Sequence, residues 1–346
     1  MAKKTYVAAI KDALAEEMRR DSSVFLIGED VRLGVFAGTR GLHAEFGDRR
    51  VIDTPISELA VAGAGVGTAI TGLRPVVDLM FGTFLYLALD QIVQQAASAR
   101  YMFGGQTKVP IVYMVQNGGG ISAGAHHSQA VHPIFMNVPL LKVVMPSNPY
   151  DAKGLLKAAI RDDNPVIFLS PLSLTGVRGE VPDEEYVLPL GKGEIKRPGC
   201  DVTICSAGAT VPAALEASQT LAAEGIEAEV IDLRTLKPWD EALVLESVAK
   251  TGRFVAVDES KPICGAASEW AATVAEKAFA SLKAPPQRVS GKDVASPFSP
   301  VLERAVIPSA GDVVAAAKRT LIGRQEPVIA HSQKARDNNQ ALVYGS

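Results

Sequence analysis

The sequence reads as an α/β protein built from two successive units around parallel sheets. Three observations lead there. Short apolar runs rich in Val, Ile and Leu alternate with helical stretches of a dozen residues or more, the rhythm of βαβ units. Those runs are apolar at successive positions rather than alternately, as strands covered on both faces require. Finally, a polar, proline-bearing stretch at 170–198 separates a first series from a shorter second one, and such composition marks a connection. The expected division is a first domain over 1–185, a linker over 186–199, a smaller α/β domain over 200–324 and a flexible tail over 325–346.

Taken in order, 6–20 carries Val7, Ile10, Leu14 and Met18 on one stripe behind Thr5, an amphipathic helix with its N-cap. Asp21-Ser22-Ser23 stops it, and 24–27 is a buried strand, followed by a glycine-rich loop around 35–39. Ile52-Asp53-Thr54-Pro55-Ile56-Ser57-Glu58 then leads into a helix of Ala, Gly, Val and Thr over 59–72. Ser57 is placed to cap it and Glu58 to sit in its first turn, where exposed amides favour an acid. A helix so rich in glycine is costly unless something approaches its backbone closely, another helix or another subunit. The first series continues with a strand at 76–81, a long helix over 84–102 and a strand at 109–115. A strand at 141–145, a helix at 150–161 and a strand at 166–169 complete it. The second series has strands at 202–205, 228–233 and 254–257, with helices at 212–224, 240–249, 266–279 and 312–321.

Composition narrows the function classes. The 346 residues are 47% hydrophobic and 21% charged, which suits a packed globular chain rather than a disordered one. A net charge of -3 gives no electrostatic case for nucleic acid or an anionic membrane, and no stretch approaches a transmembrane span. Three cysteines without C-x-x-C spacing read as reduced core thiols, so a cytoplasmic location is expected. Gly63, Gly65 and Gly67 do not form a dinucleotide fingerprint, because Ile70 stands where the third glycine belongs. No Glu or Cys stands at metal-ligand spacing from His126-His127, and there is no G-x-S-x-G elbow. By itself the histidine pair fits a solvated or interface pair as well as a catalytic one. Arg161-Asp162-Asp163-Asn164-Pro165 reads as a helix-ending turn, with an all-oxygen cluster suited to a hard cation.

The run Asp53-Thr54-Pro55-Ile56-Ser57-Glu58, with 62–67 and Gly72-Leu73-Arg74-Pro75, resembles the beta subunit of thiamine-diphosphate-dependent 2-oxoacid dehydrogenases. These are the decarboxylating first components of pyruvate, branched-chain and acetoin dehydrogenase complexes. The resemblance runs from about Tyr6 to about Leu321 and includes Leu26-Ile27-Gly28-Glu29-Asp30, Asp90-Gln91-Ile92-Val93, His127-Ser128-Gln129 and Ile231-Asp232-Leu233-Arg234-Thr235. It implies a pyrimidine-binding domain of transketolase type followed by a transketolase C-terminal domain. It makes Glu58 the acid that hydrogen-bonds the aminopyrimidine and His127 the imidazole near the reactive ring. Ile56, Met80 and Phe84 become cofactor contacts. Ile111, Ala159, Ile160, Asp162 and Asn164 become a structural potassium site. The loop at 35–39 is slightly shorter than its family counterpart.

The family's Gly-Asp-Gly and Asn-Asn signature for diphosphate and magnesium is missing: Gly47-Asp48 continues with Arg49, and Gly311-Asp312 with Val313. The resemblance therefore implies half an active site. An alpha subunit would bring Mg2+ and the phosphates in an alpha2-beta2 heterotetramer, and a lipoyl-domain acyltransferase would receive the acyl group. The expected reaction is oxidative decarboxylation of a 2-oxo acid, pyruvate first, with acetoin or branched-chain substrates as alternatives. Residues 100–105 and 146–151 stand closer to the acetoin and bacterial pyruvate types. A split transketolase-like enzyme and a non-catalytic scaffold are the remaining readings.

Overall fold

The computed structural model describes residues 2–36 and 38–322; the tail expected to be flexible lies outside them. A seven-stranded sheet runs in the spatial order Thr235–Lys237, Lys142–Val144, Val166–Pro171, Val112–Asn117, Arg74–Phe81, Val24–Gly28, Val51–Asp53. Every neighbouring pair is parallel except the first, which is antiparallel. A five-stranded sheet follows in the order Gln287–Ser290, Phe254–Asp258, Val202–Ser206, Ala228–Asp232, Glu194–Arg197. The strands at 24–28, 166–171, 202–206, 228–232 and 254–258 are buried at every position. That is why they read as unbroken apolar runs.

The first helix, Tyr6–Arg20, has its expected cap: the Thr5 side chain accepts from the Ala8 amide. It packs on Pro149–Arg161, capped by Asn148. Lys153 and Lys157, each 1% exposed, both pair with Glu16 at 2.7 Å. Burial of two ammonium stems is tolerated because a carboxylate meets both.

The two units share one core. Val143 and Met145 of the first sheet pack in the same cluster as Cys205, Ile231, Leu233 and Trp270 of the second unit. Thr235–Lys237, a strand the sequence did not announce, crosses over to extend the first sheet. Short strands at Ala2–Thr5 and Arg178–Val181 also pair, within what reads as linker composition. Among the described residues no helix is long and apolar enough to cross a membrane.

Three expectations are corrected. The helix expected over 84–102 is a 3-10 turn at Gly82–Tyr86, a π-helical segment at Gln91–Ala97 and a short α-helix at Ser98–Met102. The tight opening turn and the wide middle turn keep Leu85, Ala88, Ile92 and Ala96 buried together. The Ser57 hydroxyl does not cap the glycine helix; it donates to the Pro55 carbonyl at 2.9 Å. Finally, the free thiols are not all core groups, since Cys205 is buried but Cys200 and Cys264 are exposed.

The glycine helix spans Glu58–Ile70. A methyl on Gly65 would stand 2.7 Å from both Ile111 and Val77 side chains, so this glycine lets the helix lie on the sheet. At Gly67 nothing lies within 4 Å, and Ala60, Ala64, Gly67 and Ile70 form an exposed face. The two positions therefore separate packing from propensity. Gly65→Ala is expected to destabilise the chain by about 1–3 kcal/mol through overpacking. Gly67→Ala is expected to stabilise it by about 0.5–1 kcal/mol through helix propensity. Urea unfolding of the two variants beside the parent chain checks the opposite signs.

Candidate active site

Four loops meet at the carboxyl ends of the parallel strands, where open α/β sheets bind their ligands. The strand Val24–Gly28 delivers Glu29, and Gly28 approaches so closely that a Cβ would stand 2.2 Å from the Asp78 carbonyl. The strand Val51–Asp53 leads through a turn, tied by Thr54 N–H to the Gly28 carbonyl at 3.1 Å, to Glu58 at the helix start. The strand Arg74–Phe81 ends in Asp78, Met80 and Phe81, and Phe84 follows in the next turn. The strand Val112–Asn117 opens the glycine-rich loop that carries His127.

Glu29, Glu58, Val61, Asp78, Met80 and Phe84 line one cleft of about 240 Å³. Glu58, Met80 and Phe84 are thus brought together as expected. The Glu58 carboxylate makes no hydrogen bond or ion pair among the described residues. It is an acceptor facing a thioether and an aromatic wall. Ile56 stands beside the cleft, at the turn, with 73% of its surface exposed.

Met80 is the conformational oddity of the cleft, with φ of 59° in the left-handed region. Its amide donates to Asp78 Oδ1 at 2.9 Å, where the register of the strand shifts. A non-glycine residue in that region costs on the order of 1–2 kcal/mol, which the carboxylate contact offsets. Burial pushes the Asp78 carboxyl up to about 6, partly opposed by the Met80 amide. Glu29 is also raised, first by burial and then by the nearby Asp30 and Glu58.

His127 packs edge-on against Phe81, ring centres 4.3 Å apart, and against Phe84 at 5.7 Å. Phe84 is therefore shared between the Glu58 cleft and the imidazole. His126 is exposed, and its carbonyl takes the Thr83 hydroxyl. The loop is closed at its base by Gly118 N–H to the Gln129 carbonyl at 3.1 Å.

The expected potassium set also gathers, around the turn after Pro149–Arg161, but its oxygens face protein cations. Arg74 Nη1 donates to the Ile160 and Asp162 carbonyls at 3.0 Å each. Arg100 reaches the Asn164 side chain at 2.8 Å, and Lys142 pairs with the Asp162 carboxylate. The carbonyls of Ile111 and Ala159 each accept one amide, from Val166 and Asp162.

Sequence reasoning missed Asp78, Phe81 and Phe36, whose ring lies 5.1 Å from Phe81. A carboxylate in an otherwise apolar strand was the available signal for Asp78. It missed too the clamp that Glu259 and Glu303 place on the histidine loop. No local pattern signals partners so distant in sequence.

Asp78 gives the site a pH signature. Its folded pKa lies above the unfolded value of 3.8, so the folded state holds the extra proton. Its stabilising contribution is present at low pH and is lost as pH rises from about 4 to about 6. Asp78→Asn keeps an oxygen for the Met80 amide and removes the titration. Relative to the parent chain, the variant is expected to gain on the order of 1–2 kcal/mol across that window. Denaturant unfolding at pH 4 and pH 7 checks it, and parallel curves would exclude Asp78 as the titrating group.

Residues 2–177 match the family described as transketolase, pyrimidine binding domain, and residues 191–313 match transketolase, C-terminal domain. The chain is 49% identical to the beta subunit of acetoin:2,6-dichlorophenolindophenol oxidoreductase of Cupriavidus necator, over 91% of this chain and 96% of that one. It is 47% identical to the pyruvate dehydrogenase E1 component subunit beta of Rhizobium meliloti, over 92% of this chain and 70% of that one. Among solved structures, a split-gene transketolase, an inactive beta4 tetramer, superposes with a TM-score of 0.76 at 26% identity, covering 91% of this chain and 97% of the other. The two matched domains and these relatives together establish that the chain belongs to the family of 2-oxoacid dehydrogenase E1 beta subunits, oxidoreductase components of transketolase-type fold.

Proposed function

We propose that this chain supplies the pyrimidine-binding half of a thiamine-diphosphate site for oxidative decarboxylation of a 2-oxo acid, pyruvate first. Acetoin cleavage is the second reading, supported by the 49% identity to an acetoin oxidoreductase subunit. The observation that carries the proposal is the free Glu58 carboxylate in a cleft walled by Met80 and Phe84, with His127 behind the same phenyl ring. A single unpaired acceptor at the end of an apolar slot suits an aminopyrimidine, which offers one ring nitrogen and two stacking faces. When bound, thiamine diphosphate supplies the carbon chemistry of decarboxylation.

The chain's own part is electrostatic and positional. Glu58 holds a proton at the pyrimidine ring nitrogen, and Met80 and Phe84 fix the ring's plane. Ile56, exposed at the turn, is placed for a contact completed by the cofactor or the partner chain. His127, held against Phe81, moves a proton as the acyl group leaves for a lipoyl acceptor. Magnesium and the diphosphate belong to an alpha subunit, since the sequence lacks the Gly-Asp-Gly signature. The exposed face of Ala60, Ala64, Gly67 and Ile70 supports close packing in an alpha2-beta2 assembly. We also propose the domain division given by the sequence and a cytoplasmic setting.

The test uses the chain assembled with its alpha partner. Glu58→Gln keeps the shape but places an amide against the ring nitrogen, and decarboxylation is expected to fall by about 10²–10⁴ while cofactor binding survives. His127→Ala is expected to lower lipoyl acylation more than decarboxylation read with ferricyanide. Parent-like turnover in Glu58→Gln would reduce Glu58 to a helix-terminal acid and overturn the proposal.

Potassium at the 159–164 turn is part of the same reading. The Ile111 and Ala159 carbonyls each retain a second lone pair, and the turn is oxygen-rich. Arg74 already meets two of the expected oxygens, so the ion's contribution is expected to be small, on the order of 1 kcal/mol. Thermal unfolding in potassium against tetramethylammonium chloride at equal ionic strength checks it; identical transitions would leave Arg74 as the cation of the site.

A further inference from the structure

The loop that carries His127 is conformationally expensive and is held from the other domain. Gly118, Gly120, Ser122 and Gly124 all have positive φ, at 80°, 114°, 57° and 74°. Such a run of left-handed residues leaves main-chain amides pointing outward with no strand or helix to receive them. Two carboxylates receive them. Glu259, which follows the strand Phe254–Asp258, accepts from the Gly119 amide at 2.5 Å. Glu303, on the helix Pro300–Val306, accepts from the Gly120 amide at 3.0 Å and the Ser122 amide at 3.0 Å. The Ser122 hydroxyl adds a third contact to it at 3.1 Å. Farther along the loop, the Ser296 hydroxyl donates to the Ser128 carbonyl at 3.0 Å.

Packing makes the arrangement specific. A side chain at Gly119 would stand 3.2 Å from Glu303 Oε1 and 3.4 Å from Glu259 Oε1, and one at Gly118 would stand 2.3 Å from Glu259 Oε2. One at Gly124 would collide with the Phe298 ring at 2.4 Å. Glu303 is 3% exposed and Glu259 9%, so the contacts are made out of water, where a charge-assisted bond to an amide is strong. Neither carboxylate touches the Glu58 cleft, so cofactor contact does not explain them.

We infer that Glu259 and Glu303 are positioning residues that latch the histidine loop to the C-terminal domain and set the imidazole against Phe81. This rests on the reading that His127 moves protons during acyl transfer, and it assigns the second domain a part in that step. Burial, with help from Asp258 and against the Gly119 amide, His132 and Lys261, pushes Glu259 up to about 7. Glu303 is therefore the member to test.

In Glu303→Gln the side-chain NH2 must face at least one main-chain N–H, and the latch opens. Hydrogen–deuterium exchange on the chain assembled with its alpha partner reads the loop directly. Amides 119–122 are expected to exchange about tenfold or more faster, with the sheet amides unchanged. Acyl transfer to a free lipoyl domain should lose about tenfold in kcat with KM for that domain unchanged, while ferricyanide-linked decarboxylation holds. Glu303→Asp, which keeps the charge, should recover part of both effects. Ser296→Ala, a milder loss farther along the loop, repeats the exchange measurement if Glu303→Gln does not fold. Unchanged exchange in the loop overturns the latch and leaves the role of His127 to its own substitution. Faster exchange with unchanged acylation, where His127→Ala does impair acylation, overturns the positioning role. If His127→Ala itself has no effect, the reading of the histidine fails independently of the latch.

Discussion

One strand, Arg74–Phe81, ties this molecule together, and the hydrogen bond between the Met80 amide and the Asp78 carboxylate is its critical interaction. At its start, Arg74 closes the 159–164 turn. At its bulge, Asp78 holds Met80 in a left-handed conformation that the backbone would not adopt unaided. At its end, Phe81 is the surface on which His127 rests. Without the bulge, a continued period-two alternation would reverse the faces to which Met80 and Phe81 belong. The cleft and the aromatic bed of the histidine would then not coexist at one strand end. Local strain at a functional site is what a rigid, fully buried sheet can sustain, because its neighbours are fixed on both sides.

Fold class was legible because parallel strands buried on both faces leave an unambiguous trace, and 24–28, 166–171 and 202–206 carry it. Glu58 was legible for a related reason: an acid directly after Thr-Pro, at the head of a glycine helix, has a local signature. The segment 82–102 was not legible. Its apolar spacing is helical, and only the demand to keep Leu85, Ala88, Ile92 and Ala96 inward makes it change pitch. The strand Thr235–Lys237 escaped notice because its pairing with Lys142–Val144 is a long-range event with no short-range signal. Asp78 was visible as an odd acid in an apolar run, but its meaning lies in a bulge that composition does not encode. The second domain's acids at 259 and 303 were beyond any reading by spacing, since the loop they hold lies some hundred and more residues away.

The distribution of exposed apolar groups follows from an incomplete site. Leu59 and Ile70 on the glycine helix are 51% and 39% exposed, and Tyr101, Met102 and Phe103 are 77%, 73% and 58% exposed. Scattered exposed hydrophobes are ordinary on a soluble surface. These are contiguous in sequence and stand on elements that pack together, the glycine helix and the π-helical segment before 98–102. Gly63 is where they touch, since a methyl there would stand 3.2 Å from the Gln91 amide oxygen. A helix without side-chain bulk, beside an aromatic turn, has the shape that a second chain's helix enters.

That incompleteness also explains why the acids at the cleft are tolerated. Glu29, Glu58 and Asp78 converge on one small cleft, and burial together with mutual repulsion raises Glu29. In a site closed within one chain, such a cluster would draw an arginine or lysine for structural reasons, as Glu16 and Glu17 do on the far side of the sheet with Lys153, Lys157 and Arg161. No listed stability need is met by leaving Glu58 unpaired. Its partner must arrive from outside the chain, and a neutral ring nitrogen that becomes a donor on protonation satisfies the carboxylate without adding a permanent charge. The stability withheld at Glu58 is then returned as cofactor affinity and as a proton held where the reaction requires it.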